Sequence, residues 1–270
     1  MIPMTDREFA ELAEFIKARA GIHLKAEKRA MMAGRLQQML HDKGMTSFSE
    51  YYSFLRTGGS AAEVALLVDK ISTNHTFFMR ESEHFSYFQH HVLPELMRRK
   101  GERDLRVWSA GCSSGEEPYT LSMIIDEAVG GDRSGWDTKL LATDISSAVL
   151  ETARRGSYGA GAMKDLPDSW RKKYFEPLTE GGYSVKPHLR SQVLFRRFNL
   201  MEERFPFTRR FHAIFCRNVM IYFDHATRYK LVRQFYDWTE PGGYLFIGHS
   251  ESLDRGLTDY RYIMPAVYRK

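Results

Sequence analysis

Residues 107–118, V-W-S-A-G-C-S-S-G-E-E-P, constrain the fold more than any other stretch: a short apolar run, a turn bounded by glycines, and a helix start. Pro118 suits the first helical position, where its missing N–H costs nothing, and L-S-M-I-I-D-E-A follows with apolar residues at helical spacing. Gly111 and Gly115 let the backbone approach a ligand closely. A second strand-like run, K-L-L-A-T-D (139–144), ends on Asp144, a carboxylate where a parallel-sheet fold offers one to ribose hydroxyls. The two signals together point to a site for a nucleotide-type ligand.

The ligand is narrowed by what is missing. Neither G-x-G-x-x-G nor G-x-x-x-x-G-K-[ST] occurs, so neither a dinucleotide nor a nucleoside triphosphate is indicated. A sulfonium nucleoside such as S-adenosylmethionine carries ribose and adenine but no phosphate, and the acid-rich turn at Glu116 and Glu117 suits its ammonium group and positive charge. The competing explanation is that the helix macrodipole alone favours acids in a first turn. Both readings stay open at this point.

The 270 residues, 43% of them hydrophobic, are enough to bury a sizeable core as one large domain or two modest ones. No stretch approaches the ~18 consecutive apolar residues of a membrane span, and the first residues lack the apolar core of a signal peptide. A cytoplasmic protein with no membrane insertion is expected. Cys112 and Cys216 form no C-x-x-C pair, which points to buried thiols, and the histidines include no H-E-x-x-H, so no metal is expected. A net charge of +5 favours acidic partners without choosing among nucleic acid, anionic membrane and acidic protein.

The first 71 residues have helical periodicity. Thr5 to Glu8 fits a capping box ahead of Phe9, Leu12, Ala13 and Ile16 on one face, and Ser47/Glu50 and Ser60/Glu63 repeat the pattern. A small domain of about four helices follows from this spacing. Within it, Met31, Met32, Leu36, Met39 and Leu40 form an apolar face. Lys25, Lys28, Arg29 and Arg35 fall at spacings that bring them to a common polar face, either a solvated surface or a docking surface for an acidic partner.

From about residue 105 the pattern becomes strands alternating with helices, with strand candidates at 105–110, 139–143, 193–198, 211–216 and 244–248. This is the signature of an α/β fold with a doubly wound sheet. Residues 177–198 carry Gly181-Gly182 and Pro187 and read as a small inserted antiparallel β-subdomain. Pro241-Gly242-Gly243 reads as a tight turn, and 262–268 as a last strand. The expected organisation is a helical domain over 1–71, an interdomain linker and helix over 72–104 that contributes to the active site, and the main domain over 105–270.

Five ordered segments converge on one family: S-T-N-H-T-F-F-M-R-E (72–81), V-W-S-A-G-C-S-S-G-E-E-P-Y-T (107–120), A-T-D-I-S (142–146), F-C-R-N-V-M-I-Y-F (215–223) and I-G-H-S-E-S (247–252). Over nearly its whole length the chain resembles the CheR family, chemotaxis receptor methyltransferases that move a methyl group from S-adenosylmethionine to receptor glutamates. The resemblance implies a Rossmann-like S-adenosylmethionine-dependent methyltransferase sheet joined to an all-helical N-terminal domain. It places Asn74, Thr76 and Arg80 in the cofactor pocket, Glu117 at the methionine portion, Asp144 at the ribose, and Asn199-Leu200 by the adenine. Arg217 and Asn218 line the pocket from the fourth strand, Gly111 lets the turn approach, and Tyr222 matches the active-site tyrosine. The implied product is S-adenosylhomocysteine, and the implied partner is the cytoplasmic helical bundle of a methyl-accepting chemoreceptor. The inserted β segment is a few residues shorter than in members that dock on a receptor's C-terminal tether, which argues against tether binding. A monomer is expected.

Methyl transfer to a carboxylate needs orientation more than acid–base help, because a glutamate with a reference pKa of about 4.3 is already ionised near neutral pH. Arg80 is suited to clamp that carboxylate, and Tyr222 to narrow the approach to the methyl group. Two other functions compete. An RNA methyltransferase agrees with the basic charge, although C-R-N-V-M-I-Y lacks the N/D-P-P-Y/F type of motif, so no nucleic-acid partner is expected. A non-enzymatic sensor of S-adenosylmethionine is the other.

Overall fold

The computed structural model describes residues 2–99, 103–130 and 135–270; the stretch 100–102 of the expected interdomain segment lies outside the described residues. Four helices come first, α1 Asp6–Ala20, α2 Arg29–Asp42, α3 Phe48–Thr57 and α4 Ala61–Ile71. Their apolar faces meet in a core of their own, with Leu12, Ile16, Leu36, Leu40, Phe48 and Leu67 fully buried. Met31, expected on that face, instead lines the cleft described below.

The three capping signals differ in what they build. At α1 the box is complete: the Glu8 N–H donates to Thr5 Oγ1 at 3.2 Å and the Thr5 N–H donates to Glu8 Oε2 at 2.9 Å. Glu8 Oε1 also accepts from the Ser49 N–H at 3.0 Å, tying the start of α1 to α3. Ser47 and Ser60 cap α3 and α4, but the Glu50 side chain accepts from the Thr46 N–H, and Glu63 turns to Lys43 Nζ at 2.7 Å. Thr5→Ala is therefore expected to lower stability by about 1 kcal/mol. Chemical denaturation measures this directly, and a loss below a few tenths would mean that the Glu8–Ser49 contact holds the junction alone.

Then follow α5 Ser82–Tyr87, a π-helical turn Phe88–Val92 and α6 Leu93–Met97. The alternating region runs β1 Val107–Ala110, α7 Glu116–Val129, β2 Leu140–Asp144, α8 Ser147–Arg155, β3 Ser157–Tyr158 and α9 Asp168–Tyr174. It continues with β4 Phe175–Pro177, β5 Tyr183–Val185, α10 Pro187–Arg190, β6 Val193–Arg197, β7 Phe211–Cys216, α11 His225–Trp238, β8 Thr239–Ile247, β9 Arg261–Met264 and β10 Val267–Arg269.

The main sheet has the order β6-β2-β1-β7-β8-β10-β9. Its first five strands pair in parallel, and β10 is antiparallel to both neighbours. Every residue of β1 and of β7 is buried, as expected of parallel strands covered on both faces. The period of two sorts their side chains: Ala213 and Phe215 join one core, Ile214 and Cys216 the other. The Phe215 and Phe246 rings stack at 4.2 Å across β7 and β8, fixing that register.

Several expectations are adjusted. Helix α7 starts at Glu116, so Pro118 is its third residue, still within the turn whose N–H groups lack intrahelical partners. The small sheet has the order β3-β5-β4, so it draws in Ser157–Tyr158 from outside 177–198, and β6 belongs to the main sheet. A two-residue strand is too short to leave a periodic signal. Pro241-Gly242-Gly243 is a bulge inside β8: Phe211 pairs with Thr239 but Ala213 with Tyr244, and Gly242 takes φ 74° to allow it. The last strand is a hairpin, broken where Ala266 adopts φ 63°.

Candidate active site

A cleft of about 460 Å3 opens where β1, β2 and β7 end, walled by the α1–α2 connection and by residues 71–80. Small-molecule sites typically run from about 300 to 1,000 Å3, and in open α/β sheets they lie beyond the carboxyl ends of the strands. Asn74, Thr76, Arg80, Gly111, Glu117 and Asp144 line it, as do Asn199, Leu200, Arg217, Asn218 and Tyr222. The residues named for the cofactor and the reacting centre are thus brought together from the linker, two turns and three strand ends.

The turn after β1 is drawn tight by hydrogen bonds. The Gly111 and Cys112 N–H groups both donate to the Thr143 carbonyl, at 2.8 and 2.9 Å. Gly111 has φ 86°, and a Cβ there would sit 2.4 Å from Val219 Cγ2, so both backbone shape and space require glycine. The Ser113 N–H then donates to Asp144 Oδ2 and the Ser146 N–H to Oδ1, each at 2.9 Å. Burial pushes the Asp144 carboxyl above its ordinary range, against the pull of those backbone donors.

The two acids of the turn have separate roles. Glu116 is buried in the first turn of α7 and accepts from Ser114 Oγ at 2.7 Å, a placement that the macrodipole explanation accommodates. Glu117 reaches the cleft, accepting from Ser109 Oγ at 2.7 Å and from Arg217 Nη1 at 2.8 Å.

Arg217 is the hub of the site. Its side chain is 2% exposed, and besides Glu117 it donates to Glu81 Oε2 at 3.1 Å and to His84 Nδ1 at 3.0 Å, as well as to the Arg80 carbonyl. Its guanidinium lies 4.8 Å from the centre of the Phe85 ring. Glu81 also accepts from Asn218 Nδ2 at 3.0 Å. Arg80 sits between two left-handed residues, Met79 at φ 64° and Glu81 at φ 54°, and its Nη1 donates to the His75 carbonyl at 2.7 Å.

Glu81, His84 and Glu251 stand behind the cleft, bonded to residues that line it or follow it in the chain, and pattern reading missed them. Glu81 and Glu251 lie inside the R-E and H-S-E-S segments, and the donors converging on each of them mark them. Glu81, His84 and His249 bring metal-ligand atoms within 4.8 Å of one another. The guanidinium of Arg217 already occupies the acceptors of the first two, which opposes a cation there.

Tyr222 ends the 3-10 turn Met220–Tyr222; its hydroxyl is 3.4 Å from the Thr73 carbonyl, and its own carbonyl accepts from the His23 N–H at 2.7 Å. The helical domain is also held by Lys17 Nζ on Asp224 Oδ2 at 3.0 Å. Asn199 Nδ2 donates to the Arg19 carbonyl at 2.7 Å, so its amide joins the domains, and Leu200 beside it lines the cleft.

Three of the four basic residues, Lys25, Lys28 and Arg35, line the cleft together. Lys25 and Lys28 are exposed there. Arg35 also donates to the Ile71 and Ser72 carbonyls at 2.7 and 3.0 Å, satisfying the end of α4, and Arg29 pairs with Asp6.

Burial, then the charge of Arg217 and of His249, pushes the His84 imidazole down to about 3 from its ordinary 6.5. Between those values the unfolded chain binds a proton that the folded chain does not, so stability is full above about 6.5 and falls as pH drops towards 3. His84→Asn, which keeps an acceptor and cannot titrate, is expected to flatten this slope by up to one proton. Urea midpoints against pH measure it, and identical slopes would remove His84 from the acid response.

The carboxylates of Glu117 and Asp144 can accept from hydroxyl and ammonium groups and repel phosphate, an acceptor set that fits S-adenosylmethionine. On a mostly parallel sheet with the cleft at its strand ends, this is the arrangement of an S-adenosylmethionine-dependent methyltransferase. The family model "CheR methyltransferase, SAM binding domain" matches residues 74–268, and "CheR methyltransferase, all-alpha domain" matches 7–72. The chain belongs to the CheR methyltransferase family. It is 42% identical to the chemotaxis protein methyltransferase of Borreliella burgdorferi over 272 residues, covering 100% of this chain and 96% of that one. It is 37% identical to the proteins of that name from Salmonella typhimurium, over 99% of this chain and 91% of that one, and from Escherichia coli, over 95% and 89%. Among the described residues, no helix is long and apolar enough to cross a membrane.

Proposed function

We propose that this methyltransferase esterifies glutamate side chains on the cytoplasmic helical bundle of chemoreceptors. The observation that carries the reading is the arrangement of charge in one cleft: Glu117 and Asp144 at the sheet end, with Arg217 offsetting one of the two acids, and Arg80, Lys25, Lys28 and Arg35 on the side of the linker and the helical domain. The acids suit a cationic cofactor, and the basic side suits a carboxylate substrate.

Bound S-adenosylmethionine supplies an electrophilic methyl group on a positively charged sulfur. Glu117, held by Ser109 and Arg217, accepts from its ammonium group, and Asp144 accepts from the ribose. Leu200 packs by the adenine, and Asn74 and Thr76 close the pocket from the linker. Arg80 exchanges its hydrogen bond to the His75 carbonyl for the incoming carboxylate and orients it. No side chain has to remove a proton, because the glutamate arrives ionised. Tyr222 narrows the approach path from the opposite turn. Lys25 and Lys28 draw in the acidic receptor, residues 1–71 serve as the docking unit, 72–104 as the segment that brings in Arg80, and 105–270 as the transfer domain. The protein acts as a cytoplasmic monomer, and its short β insert argues against binding a receptor's C-terminal tether.

Arg80→Ala and Tyr222→Phe are each expected to lower turnover on a receptor cytoplasmic fragment by about 10²-fold, the cost of a misplaced reactant, with little change in the unfolding midpoint. Near-normal methylation by both folded variants would refute these roles.

A further inference from the structure

We infer that Glu251 is a positioning residue for methyl transfer, acting through the loop that carries Tyr222. Glu251 is 8% exposed and is not one of the residues lining the cleft, yet three backbone donors converge on its carboxylate. Oε2 accepts from the Gly248 N–H at 2.6 Å and the Asn218 N–H at 3.1 Å, and Oε1 accepts from the Ile221 N–H at 3.0 Å.

These donors join two chain segments that leave the sheet side by side. Gly248 follows the end of β8, while Asn218 and Ile221 follow the end of β7 and lead straight into Tyr222. Asn218 holds φ 58°, the left-handed region that asparagine adopts more readily than other side-chain-bearing residues. The packing leaves no slack: a Cβ on Gly248 would fall 2.8 Å from the Asn218 backbone nitrogen. A carboxylate has acceptors only, so it can satisfy all three N–H groups at once, whereas a carboxamide would turn N–H against N–H. One buried acid thereby fixes the distance between the two strand exits and the place of the tyrosine.

The inference rests on the reading of Tyr222 as an active-site residue, and the test separates the two. Glu251→Gln is compared with the natural protein alone and in the Tyr222→Phe background, by turnover on a receptor fragment and by amide hydrogen exchange. The expected result is faster exchange at Asn218 and Ile221, and a turnover loss of about 10²-fold that shrinks to within about threefold once Tyr222 is already phenylalanine. A merely structural role would lower the folded fraction equally in both backgrounds. Equal losses, or unchanged exchange at both amides, would overturn the inference. If Glu251→Gln does not fold, Glu251→Asp, which keeps the charge and shortens the reach, is held to the same pattern with smaller amplitude. If the natural protein transfers no methyl group to the receptor fragment, the substrate reading fails by itself, and exchange at Asn218 and Ile221 still decides whether Glu251 holds the loop.

Discussion

Arg217→Met is expected to destabilise the protein by about 3–5 kcal/mol, the range for breaking a buried charge network by removing one partner. Methionine fills much of the arginine volume but leaves Glu81 and Glu117 facing each other's surroundings without the guanidinium that both accept from. Most of the loss therefore comes from two half-buried acids left without their counter-charge, Glu117 keeping the Ser109 hydroxyl and Glu81 the Asn218 amide and the His249 N–H. The same change frees Glu117 from the orientation that presents it to the cleft, so cofactor affinity falls with stability. Urea denaturation at constant m measures the first effect and calorimetric titration with S-adenosylmethionine the second. A destabilisation below about 1 kcal/mol would show that solvent reaches the network and screens it.

Asp144→Ala is expected to raise the Kd for S-adenosylmethionine by about 10- to 100-fold, the range of one charge-assisted hydrogen bond. It also strips the Ser113 and Ser146 N–H groups of their acceptor, so the turn after β1 loosens. Asp144→Asn separates these contributions: the amide oxygen retains one N–H contact, while the charge is gone. An affinity unaltered in both variants would count against a ribose role for Asp144.

Much of the fold was legible because its signals are local. The alternation of β1, β2, β7 and β8 with helices, and the capping threonine at α1, follow from spacing and residue type alone. The glycine turn and Asp144 were legible for the same reason, as they stand at a strand end in a fixed order. What escaped depends on contacts between distant segments. Glu81 and Glu251 look like surface acids until the strand exits are folded side by side and their N–H groups converge. Arg35 looks like part of a basic face, and only the approach of α4 also puts it on the Ile71 and Ser72 carbonyls. The bulge at Pro241-Gly242-Gly243 has the composition of a turn, and the pairing of β8 with its neighbours keeps it inside the strand.

The most direct test is transfer of radiolabelled methyl from S-adenosylmethionine to chemoreceptor cytoplasmic fragments, with RNA as a parallel substrate and alkaline treatment to identify carboxyl methyl esters. Base-labile label on receptor glutamates is the predicted result. Label on RNA alone, or cofactor binding with no label on any receptor, would contradict it.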